Sequence, residues 1–223
     1  MSGRARARLV LSEVEGANTG ILVVLSGPSG VGKGTVVARA MAARNDLPGR
    51  LRRSVSVTTR PRRADEREGR DYFFCAPTEF DKKVRAGELL EWATYLGNSY
   101  GTPAAWVDRQ LARGYDVVLE IEVQGALQAK QRRPDAVLVY MLPPSWRALR
   151  QRLRRRRSES VEVQEKRIAV ARDEIRSLRE YDYVIVNDRV SKAARRLLTI
   201  LEAEHARVER ADLSAWQEGQ TSD

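Results

Sequence analysis

Residues 21–25 read ILVVL, lie between Gly20 and Gly27, and run straight into SGPSGVGKGT and a helical stretch, TVVARAMAAR, over 35–44. No other feature narrows the fold as much. An apolar run without alternation reads as a strand buried on both faces, the kind found in parallel sheets. Gly27, Gly30 and Gly32 then fall between that strand and a helix, where glycines let successive backbone N–H groups turn inward around an anion. The helix N-terminus adds partial positive charge, and Lys33 reaches outer phosphates as a point charge. A tight glycine turn without a ligand is the bland alternative, but strand, lysine and helix together favour the phosphate. Gly27, Pro28, Ser29, Gly30, Val31, Gly32, Lys33, Gly34 and Thr35 are therefore read as the cradle of a nucleoside triphosphate.

One position breaks the pattern G-x-x-x-x-G-K-[ST]. It asks for a hydroxyl after the lysine to ligate magnesium, and this chain has Gly34. The change weakens a direct metal ligand, not the cradle. Thr35 offers a hydroxyl from the next helical position, and the string GKGT resembles the loop of adenylate kinases, where the metal is held largely through waters. Mg²⁺ usually keeps several waters in any case. No direct protein ligand is assigned; Thr35 and Glu120 are the candidates for contact through water.

Further apolar runs, VVLEIEV from Val117, AVLVYML from Ala136 and YVIV from Tyr183, alternate with helical stretches such as ALRQRLRRRR from Ala148 and VQEKRIAVARDEIRSL from Val163. Alternating strands and helices predict an α/β fold with a parallel-sheet core. At 223 residues the chain suits one domain with inserted lobes. Residues 1–18 are expected to be a disordered basic extension, and 208–223 a polar C-terminal tail. Between them a domain over 19–207 divides into a core (19–53, 103–145 and 178–207), a polar, Arg- and Tyr-rich lobe (54–102) and a charged lid (146–177). No apolar run approaches the roughly 20 residues needed to span a bilayer, and the start carries no secretory apolar segment. The lone Cys75 suggests a reducing compartment, so a cytoplasmic protein without a membrane partner is expected. The net charge of +10 raises nucleic acid as a partner. Few aromatic residues and no recognisable nucleic-acid module favour small phosphates instead.

The lobe supplies the acceptor side. SVSVTTRPRRADEREGRDYFF, from Ser54, brings Arg60, Arg63 and Tyr72 together, and guanidinium forks bind phosphate bidentately. GELLEWATYLGNSYGT, from Gly87, adds Glu91, Tyr100 and Thr102. LEIEVQG, from Leu119, leaves Glu120 and Glu122 at the end of a buried strand, where unpaired carboxylates are costly and a site is favoured over core packing.

The ordered set GPSGVGK, SVSVTTRPRR, EGRDYFF, LLEWATYLGNSYGT, LEIEVQG, PPSWRALRQRL and VIVND resembles the guanylate kinases from about residue 19 to 207. The resemblance implies a P-loop NTPase fold with an inserted GMP-binding lobe and a lid. It implies transfer of the γ-phosphoryl group of ATP to GMP, with dGMP as a further acceptor, in purine nucleotide metabolism. It places Glu91 and Glu122 as acceptors for the guanine N1–H and N2–H donors, and Ser56 and Thr102 as hydroxyls near the base. Arg60, Arg63, Tyr72 and Tyr100 hold the GMP phosphate, and Glu120 counts among the GMP-binding residues. Arg152, Arg156 and Arg167 match arginines that close over the transferring group, and Asn187 matches an adenine-edge contact. Mg²⁺ with ATP is the implied cofactor. Four places depart from the family spelling: Gly34, Glu122 where Asp is common, Arg155 and Arg157 where lid glycines are common, and Pro61 directly after Arg60. The alternatives are a non-catalytic guanylate-kinase-like module that binds phosphopeptides, and a kinase of another small phosphate acceptor. The oligomeric state is not fixed by these features.

Overall fold

The computed structural model describes residues 19–43, 51–95, 97–154 and 161–210. In chain order the elements are β1 (Leu22–Ser26), α1 (Lys33–Ala43), β2 (Leu51–Arg53), β3 (Val57–Thr58), β4 (Phe73–Phe74), α2 (Pro77–Arg85), β5 (Leu89–Tyr95), β6 (Asn98–Pro103), α3 (Ala104–Leu111) and β7 (Asp116–Glu120). There follow α4 (Val123–Arg132), β8 (Val137–Leu142), α5 (Trp146–Arg154), α6 (Val161–Glu174), a 3₁₀ turn (Ile175–Glu180), β9 (Tyr183–Val186) and α7 (Val190–His205). A last 3₁₀ turn, Val208–Arg210, occupies the first residues of the segment expected to be a tail.

The main sheet has the order β2-β7-β1-β8-β9, and every pairing in it is parallel. Strand alternation explains why β1 needs an unbroken apolar run. Ile21, Val23 and Leu25 pack with Val36, Val37 and Ala40 of α1 and with Ala194 and Leu197 of α7. Leu22 and Val24 face the other way, into a cluster with Val107 and Leu111 of α3 and Ala126 and Ala129 of α4. Helices therefore cover both faces, as the sequence pattern requires.

A second sheet, β4-β3-β6-β5, stands on residues 57–103. Its small core is Val57, Phe80 and Leu89, with α2 contributing Phe80. The α4 helix holds the edge of this sheet by side-chain bonds to its backbone. Gln128 accepts from Trp92 N at 3.1 Å and donates to Trp92 O at 3.2 Å, and Arg132 donates to Leu89 O. Helix α4 thus ties the second sheet to the main sheet, and Leu90 of β5 packs into the cluster around Leu22 and Val24.

The boundaries differ from the sequence expectation in three places. Helix α1 begins at Lys33 rather than at 35, so the lysine lies on the first helical turn. The long 163–178 helix breaks into α6 and the 3₁₀ turn. Most important, the strand carrying Glu120 stops there, and Glu122 is the N-cap of α4. In one continuous strand the two carboxylates, two residues apart, would share a face. The turn into α4 separates them, and their side chains are 10% and 61% exposed respectively.

Candidate active site

The phosphate loop leaves the C-terminal end of β1, and Val31 N donates to Pro28 O across it at 3.0 Å. Gly32 has φ +100°, and a Cβ there would stand 2.9 Å from Asn187 Nδ2, so only glycine fits. Lys33 Nζ donates to Gly27 O, curling back over the loop, and stands 3.9 Å from Glu122 Oε1. Thr35 is exposed on the first turn of α1.

Three side chains from distant parts of the chain brace this loop. Arg152 of α5 donates to Val31 O and to Asn187 O, both at 2.9 Å. Asn187, which follows β9, is 2% exposed and donates Nδ2 to Val31 O at 2.8 Å. Arg167 of α6 donates to Ser29 Oγ. In this form Asn187 and Arg152 therefore hold loop backbone rather than standing open in a groove. Arg156, with Arg155 and Arg157, lies outside the described residues.

On the acceptor side, Arg60 Nη2 binds Glu66 Oε1 at 2.6 Å, while Glu66 Oε2 accepts from the Arg63 backbone N–H at 2.9 Å. This pairing raises the Arg60 guanidinium pKa and lowers that of Glu66. Arg60 also lies over the Tyr72 ring, 5.4 Å from its centroid, and Tyr72 meets Tyr100 edge-on at 6.1 Å. Arg60, Tyr72 and Tyr100 are thus brought together, with the exposed Arg63 beside them. Ser56 O accepts from Phe73 N, which puts Ser56 next to Tyr72.

Glu91 and Thr102 form a buried pair on neighbouring strands, β5 and β6, in direct register. Thr102 Oγ1 donates to Glu91 Oε1 at 2.6 Å, with the two residues 0% and 4% exposed. Burial pushes the Glu91 carboxyl up, and the Thr102 bond opposes that shift. The other oxygen of Glu91 would be 2.8 Å from a Cβ at Gly125 in the first turn of α4. The absent side chain at Gly125 lets a buried carboxylate approach the same helix start that Glu122 caps. Glu91 and Thr102 therefore lie against the helix whose N-cap position Glu122 occupies.

Glu120 sits apart from that group. Its carboxylate lies over Gly34, with Oε2 3.3 Å from where a Cβ would be, and Arg53 Nε is 2.8 Å from Oε1. The Arg53 contact lacks hydrogen-bond alignment, so buried Oε1 retains acceptor capacity. Burial raises the Glu120 pKa, while Arg53 and Lys33 pull it back down. A buried carboxylate with an unused oxygen beside the loop and its lysine fits a hydrated divalent cation. Among the described residues no group of three or more His, Cys, Asp or Glu side chains could hold a metal ion.

Four residues near the site carry no clear sequence signal. Glu66 and Gly125 are ordinary in type and placed by turns, and Arg53 is one of many arginines. Glu174 ends α6, and burial, then sharing with Glu122, lifts its carboxyl pKa to about 8.

The guanylate kinase family model matches residues 19–204. The chain belongs to the guanylate kinase family. A guanylate kinase of Lactococcus lactis subsp. lactis is 50% identical over 191 residues, 86% of this chain and 91% of that protein. A guanylate kinase of Streptococcus thermophilus is 51% identical over 191 residues, 86% of this chain and 90% of its own length. The crystal structure of guanylate kinase from Anaplasma phagocytophilum superposes with a TM-score of 0.69 at 31% identity, covering 91% of this chain and 95% of that one. The guanylate kinase match spans both sheets and the α5–α6 pair, so the loop and the acceptor-side groups belong to one family architecture.

Proposed function

We propose that this chain transfers the γ-phosphoryl group of ATP to GMP, giving ADP and GDP, with dGMP as a further acceptor. The observation that carries this reading is the Glu91–Thr102 pair, a carboxylate 4% exposed with a hydroxyl as its hydrogen-bond partner. Guanine offers N1–H and N2–H donors along one edge, and Glu91 and Glu122 supply acceptors for them. Adenine would turn a lone pair toward the same carboxylate. A mismatched buried polar group costs about 1–3 kcal/mol, and a site built around such bonds discriminates strongly.

The roles follow from charge and reach. Arg60, Arg63, Tyr72 and Tyr100 hold the GMP phosphate, displacing Glu66 from Arg60. The backbone of residues 27–35 holds the triphosphate, and Lys33 releases Gly27 O to take a phosphate oxygen. Arg167, together with Arg156, neutralises charge on the transferring group, while Arg152 and Asn187 keep the loop in shape for it. The attacking oxygen is already anionic on GMP, so no protein nucleophile is needed, and catalysis rests on positioning and charge. Bound Mg²⁺ would offset charge on the triphosphate, with Glu120 and Thr35 reaching its waters.

A coupled ADP-release assay with ATP and each nucleoside monophosphate tests the reading. Turnover is expected with GMP and, about a thousandfold less efficiently, with AMP or UMP. Comparable rates with AMP or UMP would sink the guanine assignment. Lys33→Ala is expected to lower kcat by about 10²–10³-fold, the usual loss for one group aimed at developing charge.

A further inference from the structure

The Arg53–Glu120 pair is placed by sheet register. Strand β2 runs parallel to β7 at the sheet edge, with Arg53 aligned on Val118. Leu51 and Val118 both join the cluster that packs against α1. Arg53 and Glu120, each two residues further on, therefore lie on that same face, at the ends of adjacent strands and above the first turn of α1. There a Cβ on Gly34 would be 3.3 Å from Glu120 Oε2 and 3.8 Å from Arg53 Nη2. The space where the loop pattern puts a hydroxyl side chain is thus bordered by this ion pair.

Resting on the reading of an ATP-dependent kinase, we propose that Arg53 is a positioning residue that fixes the Glu120 carboxylate over Gly34 so that it accepts hydrogen bonds from the water shell of ATP-bound magnesium, in place of the direct ligation that a hydroxyl at position 34 supplies in other loops. Arg53 contacts Oε1 without hydrogen-bond alignment, so it orients the carboxylate yet leaves that oxygen able to accept a bond. Lys33 donates Nζ to Gly27 O and stands near Glu122, so it acts on Glu120 through charge and the direct contact is left to Arg53. The Arg53 side chain is 61% exposed, so its removal takes away an orienting contact and not core packing.

The test is equilibrium binding of ATP, followed by calorimetry with and without Mg²⁺, for the unaltered chain, Arg53→Ala, Arg53→Lys and Arg52→Ala. Arg52 is the control, because it removes the same charge from β2 on the opposite face, where it bonds Gln110. Arg53→Ala is expected to weaken binding of magnesium-bound ATP by about tenfold, the lower end of losses for groups that orient a metal's surroundings. Metal-free ATP binding should change by less than about twofold, Arg53→Lys should recover part of the loss, and Arg52→Ala should leave the metal-bound to metal-free ratio unchanged. Equal weakening of both forms by Arg53→Ala, or no weakening of either, overturns the inference. Failure of the unaltered chain to bind ATP at all overturns the kinase reading, and the inference with it.

Discussion

In the proposed reaction, acceptor choice turns on Glu91. Its carboxylate is buried, held by the Thr102 hydroxyl, and its pKa is raised by burial. A group in that state accepts hydrogen bonds from guanine only while ionised. Glu91→Gln keeps the shape but presents an amide that can donate where guanine also donates. The expected result is a rise of about 10²-fold in KM for GMP with KM for ATP within about twofold, since losing one bond and leaving buried donors unpaired costs a few kcal/mol. The raised pKa adds a second expectation: KM for GMP increases as pH falls toward the acid range, and the glutamine variant loses that dependence. Initial rates over a pH series check both. A Glu91→Gln enzyme that lost ATP affinity instead would place this carboxylate on the wrong substrate. Residue types at this level are legible in the sequence, because burying a carboxylate is costly enough to mark it. Partners are less so: Glu66 on Arg60 and Gly125 under Glu91 depend on turns that bring together groups whose spacing announces nothing.

At the scale of elements, the strand–loop–helix unit is the most legible part of the chain. Its apolar run, glycines and helix are contiguous, and each local preference agrees with the fold. What braces the loop is not legible, because Arg152, Arg167 and Asn187 reach it across more than 120 residues of chain. Nor is the divergence of Glu120 from Glu122, which follows from where β7 stops and α4 starts. Two glycines separate functional from purely structural use of positive φ. Gly32, at φ +100°, would press a Cβ against Asn187 Nδ2, so Gly32→Ala should displace the brace and cost at least about tenfold in ATP affinity, alongside 1–3 kcal/mol or so of backbone strain. Gly87, at φ +67°, ends α2 in a motif where Glu88 N donates to Lys83 O and Gly87 N to Val84 O. A Cβ there meets nothing within 4 Å. Gly87→Ala should therefore lower stability by about 1 kcal/mol with kcat and both KM values unchanged. Chemical denaturation and steady-state kinetics on the two variants read the contrast. Equal effects on ATP binding would mean that Asn187 does not brace the loop.

Across the whole molecule, three buried carboxyls are held above their ordinary pKa. Burial raises Glu91, Glu120 and Glu174, whereas surface carboxylates such as Asp135, paired with Arg133, are lowered. Buried carboxyls with raised pKa values are what a functional site costs a fold. Glu174 makes the cost measurable, because it joins the end of α6 to Glu122 at the start of α4 and titrates near 8 against an ordinary 4.5. Between those values the native protein keeps a proton that the unfolded chain has lost. Stability contributed by the neutral carboxyl is therefore present in full below about pH 4.5, falls as pH rises toward 8, and levels off beyond it. Because Glu174 is only partly buried and faces solvent screening, the loss from pH 6 to 8.5 is on the order of 1–2 kcal/mol rather than the full linkage value. For a chain of this size that is about 3–6 °C in Tm. Thermal unfolding without nucleotide or metal should show this decline, and Glu174→Gln, neutral at every pH, should flatten it while matching or exceeding wild-type Tm at pH 8.5. A Tm that rises over the same interval, or a glutamine variant with an undiminished slope, would mean that α6 and α4 are not joined through a protonated Glu174.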